Sequence, residues 1–245
     1  EECPERVREA DIVICNKARM CSRTLSGAEN LKLICVTATG INNIDLDYVK
    51  RHNIAVTNVA GYSTVSVAQH TFAMYFYLAE KLRYYDDYVK NGSYAASSLF
   101  TCMDRPFTEL EGKTWGIIGL GAIGRKVASI AQAFGCRVIY YSTSGAHDDP
   151  DYERVDLYRL LKDSDVVSIH APLNEATENL MNIETFANMK RNAILINVGR
   201  GSIVNERDLC CALREGLIAG AALDVLSSEQ IRSASDLLKM AGGER

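Results

Sequence analysis

Lys113 to Ser144, KTWGIIGLGAIGRKVASIAQAFGCRVIYYSTS, constrains what this chain can fold into more than any other stretch. Trp115 to Ile118 is a short apolar run with β-branched residues. After Gly119, Gly121 and Gly124 the apolar side chains of Val127, Ile130, Ala131 and Phe134 recur at helical spacing, and Gly135 stops the helix. Arg137 to Tyr141 is a second apolar run. Strand, glycine turn, helix and strand in that order give each glycine a task. The first permits a tight turn, the second lets backbone approach a pyrophosphate, and the third lets the helix pack closely on the strand. The free N–H groups at the helix start then face the anion. Glycine-rich turns also arise for steric reasons alone, but the strand before and the helix after point to a dinucleotide site.

The rest of the chain continues this alternation. Strands are expected at Ile12 to Cys15, Leu33 to Val36 and Ala55 to Asn58, then at Val166 to His170, Ala193 to Asn197 and Ala219 to Val225. Helices are expected at residues 4–10, at Leu46 to Arg51 behind an Asp45 cap, from about Val65, and at Leu157 to Lys162, Ile183 to Asn188 and Glu206 to Glu215. Strands this apolar suit a parallel sheet covered on both faces, so the fold class is α/β. Residues 84–112 show little periodicity despite many tyrosines and charges, and read as an extended arm or long loop that suits a subunit contact.

With 245 residues, 47% of them hydrophobic, the chain can bury two domain cores. A net charge of −4 provides no basic stripe for nucleic acid, and no apolar run approaches the roughly 18 residues a membrane span needs. The eight cysteines form no CxxC pair and do not cluster with the four histidines at metal-ligand spacing. No metal site is expected, and free thiols fit a reducing cytoplasm.

Candidate chemistry gathers at strand ends. Ser142, followed by Thr143 and Ser144, stands where a dinucleotide domain that prefers NAD places a carboxylate for the ribose 2′-hydroxyl, and where a basic residue would accept a 2′-phosphate. Neither charge is present at that position, which leaves NAD and NADP both open. Arg200 follows the run Ala193 to Ile196 and lies between Gly199 and Gly201, where its planar fork can grip a carboxylate through two bonds. An exposed turn arginine is the plainer reading. Thr39 and Gly40, in the polar turn after the second strand, sit where open α/β sheets bind ligands. Asp224 and Glu229 lie at and just beyond the last strand, and either can be an ordinary surface carboxylate.

The strings ATGINNID (38–45), VTNVAGYSTVSVAQHT (56–71), GIIGLGAIG (116–124), SIHAPLNEAT (168–177), INVGRGSIVNERDL (196–209) and GAALDV with Glu229 (220–229) together resemble the D-isomer-specific 2-hydroxyacid dehydrogenases, the group of glycerate, D-lactate and phosphoglycerate dehydrogenases. The likeness runs from the N-terminus to about Met240. It implies two doubly wound parallel-sheet domains: a flavodoxin-like substrate domain at residues 1–80, incomplete at its start, and a Rossmann NAD(P)-binding domain at 81–227. Residues 228–245 would begin a return segment to the substrate domain. The implied activity is hydride transfer between NAD or NADP and a small 2-oxo or D-2-hydroxy acid in a cleft between the domains of a cytoplasmic homodimer.

The resemblance also implies roles. Arg200 would hold the substrate carboxylate and polarise the 2-oxo group, the Thr39 and Gly40 amides would hold that carboxylate from the other domain, and Glu229 would orient a catalytic histidine and raise its pKa. Asp224 would bond the nicotinamide amide. Gly119, Gly121, Ala122, Ile123, Gly124, Ser142, His170, Pro172, Thr177, Asn197 and Val198 would line the cofactor. Two departures matter. The family begins with a further strand and helix before the position of Glu1, and beyond Leu237 to Met240 it continues into a strand whose end carries the catalytic histidine, a position this chain does not reach. Gln230 stands where proline is common. None of His52, His70, His147 and His170 suits the role, so the chain read literally is expected to bind nucleotide and to reduce 2-oxo acids poorly. The rival reading is a catalytically silent nucleotide sensor of the same fold, like a corepressor, or an inactive fragment.

Overall fold

The computed structural model describes residues 3–146 and 148–228, and the chain divides into two compact units, residues 1–63 and 64–245. In the first unit α1 (Cys3–Val7), β1 (Ile12–Cys15), α2 (Ser22–Leu25), β2 (Leu33–Val36), α3 (Leu46–Arg51) and β3 (Ala55–Asn58) alternate, and the strands form a parallel sheet in the order β1-β2-β3. The Asp45 carboxylate accepts the Tyr48 N–H at 2.9 Å and so satisfies one of the open donors at the start of α3. Side chains alternate along β1: Val13 and Cys15 turn inward onto a core with Met20, Leu25, Ile34 and Val49, whereas Ile12 and Ile14 are exposed. The short α2 buries only Thr24 and Leu25, too little to leave a periodic signal in the sequence.

The second unit opens with α4 (Thr64–Ala79), α5 (Leu82–Lys90) and α6 (Ser93–Ala96). There follow β4 (Thr114–Ile118), α7 (Ala122–Ala133), β5 (Arg137–Tyr141), β6 (Glu153–Arg154), α8 (Leu157–Asp163), β7 (Val166–Ile169), α9 (Ile183–Ala187), β8 (Ile194–Asn197), a 3-10 turn (Gly201–Ile203), α10 (Glu206–Arg214) and β9 (Gly220–Leu223). The sheet order is β6-β5-β4-β7-β8-β9, and every neighbouring pair is parallel. The chain winds outward from β4 to β6, then crosses back to β7 on the other side of β4. This is the doubly wound Rossmann arrangement, with its switch point between β4 and β7.

Alternate residues of β4 and β7 feed two cores. Trp115, Ile117 and Val166 join Phe72, Tyr75, Val127 and Ala131 from α4 and α7, while Ile118, Val167 and Ile169 join Leu160, Leu161, Phe186 and Leu209 from α8, α9 and α10. Helices cover both faces, which is why the strands read as nearly all apolar.

One expectation changes here, that of the arm over residues 84–112. The second compact unit starts at Thr64, ahead of the domain change expected near residue 80. The cause is α4, which buries Ala68, Phe72, Tyr75 and Ala79, with the Phe72 and Tyr75 rings 4.8 and 5.4 Å from that of Trp115. Each large apolar side chain buried in this way contributes about 1.5–3 kcal/mol, enough to commit the helix to this core. The unstructured arm expected over residues 84–112 is in part helical. In α5 no residue is buried; Tyr84 packs on Tyr85 and Tyr88 at 5.2 and 6.2 Å, and Arg83 and Lys90 pair with Asp87 and Asp86. Its apolar and polar side chains segregate at helical spacing, yet none of the apolar ones is buried. No helix among the described residues is long and apolar enough to cross a membrane.

Candidate functional site

The glycine turn at the end of β4 is shaped by close approach. Gly119 has φ +93°, a left-handed value that glycine adopts freely, and its N–H donates to the Tyr141 carbonyl at 3.0 Å. A Cβ at Gly119 would lie 2.9 Å from the Ala171 backbone, and one at Gly124 would overlap the Gly119 carbonyl. Gly121 is different. Its φ of −79° is ordinary and a Cβ there would meet nothing within 4 Å. Among the described residues nothing needs a glycine at this position, and the space beside it is open. Gly121 also caps α7 without a side-chain bond, leaving the first N–H groups of α7, from Ala122 and Ile123 onward, facing that space. The residues therefore fit a pyrophosphate.

Beside the turn a cavity of about 90 Å³ is lined by Gly119, Arg125, Tyr140, Ser142, Thr143 and Ser144. Ser142 lies just past β5, as expected. Arg125 is the addition. Its guanidinium pairs with Asp149, a carboxylate only 1% exposed that also accepts the Asp151 N–H at 2.9 Å. A sequence signal existed: Arg125 directly follows the third glycine and stands about one helical turn beyond Gly121. The return of Asp149 onto α7 left none.

At the switch point the His170 N–H donates to the Ile118 carbonyl at 2.8 Å, joining the end of β7 to that of β4. Trp115 Nε1–H donates to Ser168 Oγ at 2.8 Å, and Ser168 Oγ lies 3.0 Å from His170 Nε2. Ser168 Oγ accepts from the indole and shares one hydrogen bond with His170 Nε2. Nδ1 is itself buried with no hydrogen-bond partner. Burial holds the His170 pKa down at about 3.

This histidine should mark acid unfolding. Because its folded pKa lies below the ordinary value near 6.5, the unfolded chain takes up the proton first. The stabilisation is complete above about pH 6.5 and is lost as pH falls from there toward 3, at about 1.4 kcal/mol per pH unit. Urea unfolding of wild type and His170→Gln at pH 7, 6 and 5 should show the two stabilities converging as pH falls. Parallel profiles would refute the neutral imidazole.

Several expected cofactor residues have visible structural work. Thr177 is wholly buried; its hydroxyl donates to Pro172 O at 2.7 Å and accepts Asn174 N–H at 2.8 Å, which clips the loop that carries Pro172. Asn197, also wholly buried, accepts the Gly199 N–H at 3.0 Å and donates to the Arg200 carbonyl at 3.0 Å. Those two bonds form the turn after β8, with Val198 packed on the core beneath it. Arg200 is half-buried, and its Nη1 donates to the Gly199 carbonyl at 2.8 Å. Its flanks are keyed in place. A Cβ at Gly199 would lie 3.1 Å from Ala171 O, and one at Gly201 would overlap the Leu226 backbone.

Asp224, just beyond β9, is exposed and tied to β8 through its N–H to Asn197 O at 3.0 Å. His70 Nε2 of α4 lies 3.3 Å from Asp224 Oδ1, a pairing across distant sequence that no motif announces. Glu229 lies outside the described residues. In the first unit, Thr39 is exposed beyond β2; its hydroxyl donates to Val59 O at 3.1 Å and its carbonyl accepts from Asn58 Nδ2 at 2.7 Å, while Gly40 follows half-buried.

Residues 72–242 match the family model described as D-isomer specific 2-hydroxyacid dehydrogenase, NAD binding domain. A putative 2-hydroxyacid dehydrogenase of Haemophilus influenzae is 40% identical over 232 residues, covering 94% of this chain and 72% of that protein. A hydroxypyruvate reductase of Blautia hydrogenotrophica is 36% identical, covering 97% of this chain and 74% of the relative. Among solved structures, D-lactate dehydrogenase from Aquifex aeolicus complexed with NAD and lactic acid superposes with a TM-score of 0.87 at 32% identity, covering 98% of this chain and 74% of that one. The chain belongs to the D-isomer specific 2-hydroxyacid dehydrogenase family. Its chemistry is hydride transfer with a nicotinamide dinucleotide, NAD or NADP.

Proposed function

We propose that this protein reduces small 2-oxo acids to D-2-hydroxy acids, with Arg200 as the substrate anchor and the dinucleotide lying across the β4–β7 switch point. The observation that carries the reading is the turn 197–200, which presents a guanidinium at the C-terminal edge of the same sheet that ends in the glycine turn. The α7 amides beyond Gly121 hold the pyrophosphate, and Gly119 and Gly124 give the turn its shape. Ser142 meets the adenosine ribose. His170, Pro172 and Val198 form the wall of the nicotinamide half, with Thr177 and Asn197 buried behind it and holding its loops, and Asp224 accepts from the carboxamide. When bound, the nicotinamide ring supplies the hydride. As hydride reaches the 2-carbon, negative charge grows on the carbonyl oxygen, and Arg200 stabilises that charge while its fork holds the carboxylate. Glu229 is the carboxylate that would orient a histidine imidazolium, and that imidazolium would give its proton to the alkoxide oxygen to complete the hydroxyl. On the first unit, the Thr39 and Gly40 amides are donors for a carboxylate.

The test is NADH and NADPH oxidation with glyoxylate, hydroxypyruvate and pyruvate. At least one of the three should be consumed, giving one D-2-hydroxy acid per nucleotide oxidised. Tight nucleotide binding with no turnover on all three would replace the enzyme with a sensor.

The protein is further proposed to be a cytoplasmic homodimer. None of the eight cysteines is joined in a disulfide, which supports a reducing compartment. Leu99, Phe100, Met103 and Phe107 stand exposed along the arm, Phe100 at 90%, and support a partner there. Sedimentation should give twice the chain mass, falling to one chain mass in a Phe100→Asp, Met103→Asp variant. A wild-type monomer would end this proposal.

A further inference from the structure

We infer that Arg125 is the residue that selects the cofactor, by binding a 2′-phosphate, so that NADPH is the preferred nucleotide. The inference rests on the dinucleotide reading above and adds to it which ribose substituent the chain recognises.

Among the described residues lining the cavity beside the glycine turn, the polar side chains are those of Arg125, Tyr140, Ser142, Thr143 and Ser144, with no carboxylate among them. Ser142 Oγ accepts the Gly145 N–H at 3.1 Å, and Ser144 Oγ accepts the Ala146 N–H at 3.3 Å. With those backbone donors seated on the oxygens, each hydroxyl has its own proton left to give. Arg125 adds guanidinium N–H groups. Asp149 is the carboxylate nearest this wall, yet it does not line the cavity: it is buried, paired with Arg125 and holding Asp151 N–H. A ribose 2′-hydroxyl is best met by an exposed carboxylate acceptor, which the wall lacks. A phosphate monoester carries about −1.5 to −2 charge at neutral pH and only accepts, so it matches a wall of donors.

The pairing with Asp149 does not spoil Arg125 for this task. The Arg125 side chain is 49% exposed against 1% for Asp149, so the carboxylate holds one edge of the fork from behind and leaves the rest toward the cavity. A buried partner that fixes a guanidinium reduces the side-chain freedom to be lost on binding.

The experiment is fluorescence titration of the protein with NADH and NADPH, repeated for Arg125→Gln, Arg125→Lys and Ser142→Asp. Wild type should bind NADPH the tighter of the two, with the preference shrinking as salt rises. Arg125→Gln should weaken NADPH by about 10- to 100-fold and NADH by less than about threefold. Arg125→Lys keeps a charge for Asp149 but not the fork, and should recover part of the loss. Ser142→Asp leaves the ion pair intact and should reverse the preference by repelling the phosphate. Equal losses for both nucleotides in Arg125→Gln, or a wild-type preference for NADH, would overturn the inference while leaving the dehydrogenase reading in place. If Arg125→Gln does not fold, Ser142→Asp decides, and an unchanged preference there overturns it. A protein that binds neither nucleotide overturns both.

Discussion

Gly121→Val is expected to lose nicotinamide dinucleotide binding while its unfolding transition stays nearly where it is. A valine Cβ at 121 meets nothing in the protein within 4 Å, so the fold has no reason to object. The stability cost is that of a poorer cap on α7, about 1 kcal/mol at most. The ligand is affected far more. A branched side chain at this position fills the approach to the α7 amides, and losing two charge-assisted bonds of about 1.5–3 kcal/mol each corresponds to an affinity loss on the order of 10²- to 10⁴-fold. Gly124→Ala is the control with the opposite signature, because its Cβ overlaps the Gly119 carbonyl and the overpacking costs about 1–3 kcal/mol of stability. Titration and thermal melts on both variants separate the two effects. Wild-type NADH affinity in Gly121→Val would place the nucleotide elsewhere.

Arg200→Gln should remove turnover and spare nucleotide binding. Taking away one member of a buried, hydrogen-bonded charge pair costs about 2–5 kcal/mol, so kcat/KM for the best 2-oxo acid should fall on the order of 10²- to 10³-fold. Arg200→Lys should recover only part of this, since an ammonium keeps the charge but not the two parallel donors. The Asn197 bonds that form the turn go to backbone atoms and do not use the Arg200 side chain, so neither variant should unfold. A glutamine variant with undiminished kcat/KM would remove Arg200 from the site.

Much of the scaffold is legible from sequence as short apolar runs. The strands β1, β2, β3 and β5 occupy their expected residues, β1, β2 and the middle of β5 as unbroken apolar runs, and the glycine motif fixes where β4 ends. What escapes is whatever depends on non-local return of the chain. The helix α5 has Leu82, Tyr85 and Val89 at helical spacing, but a short segment among tyrosines and charges that buries nothing does not stand out from a loop. The helix α4 shows its stripe, but the stripe does not say which core will receive it. Arg125 is visible beside the glycines, yet its relation to Asp149 depends on the loop after β5 folding back. The meeting of His70 with Asp224 requires α4 to lie along β9, which no local pattern encodes. Thr177 and Asn197 stand in the strings that carry the resemblance, and only the structure shows their polar groups joined to their own loops.

The keyed flanks of Arg200 separate two kinds of position that sit side by side. Gly201 is fixed by the Leu226 backbone and Gly199 lies close to Ala171 O, whereas the Arg200 side chain between them donates to backbone of its own turn, at the Gly199 carbonyl. For an engineer, residue 200 is therefore the position to vary on a mount held by its flanks. Different head groups can be installed there and screened on new carbonyl compounds, while residue 201 is the one to leave as glycine.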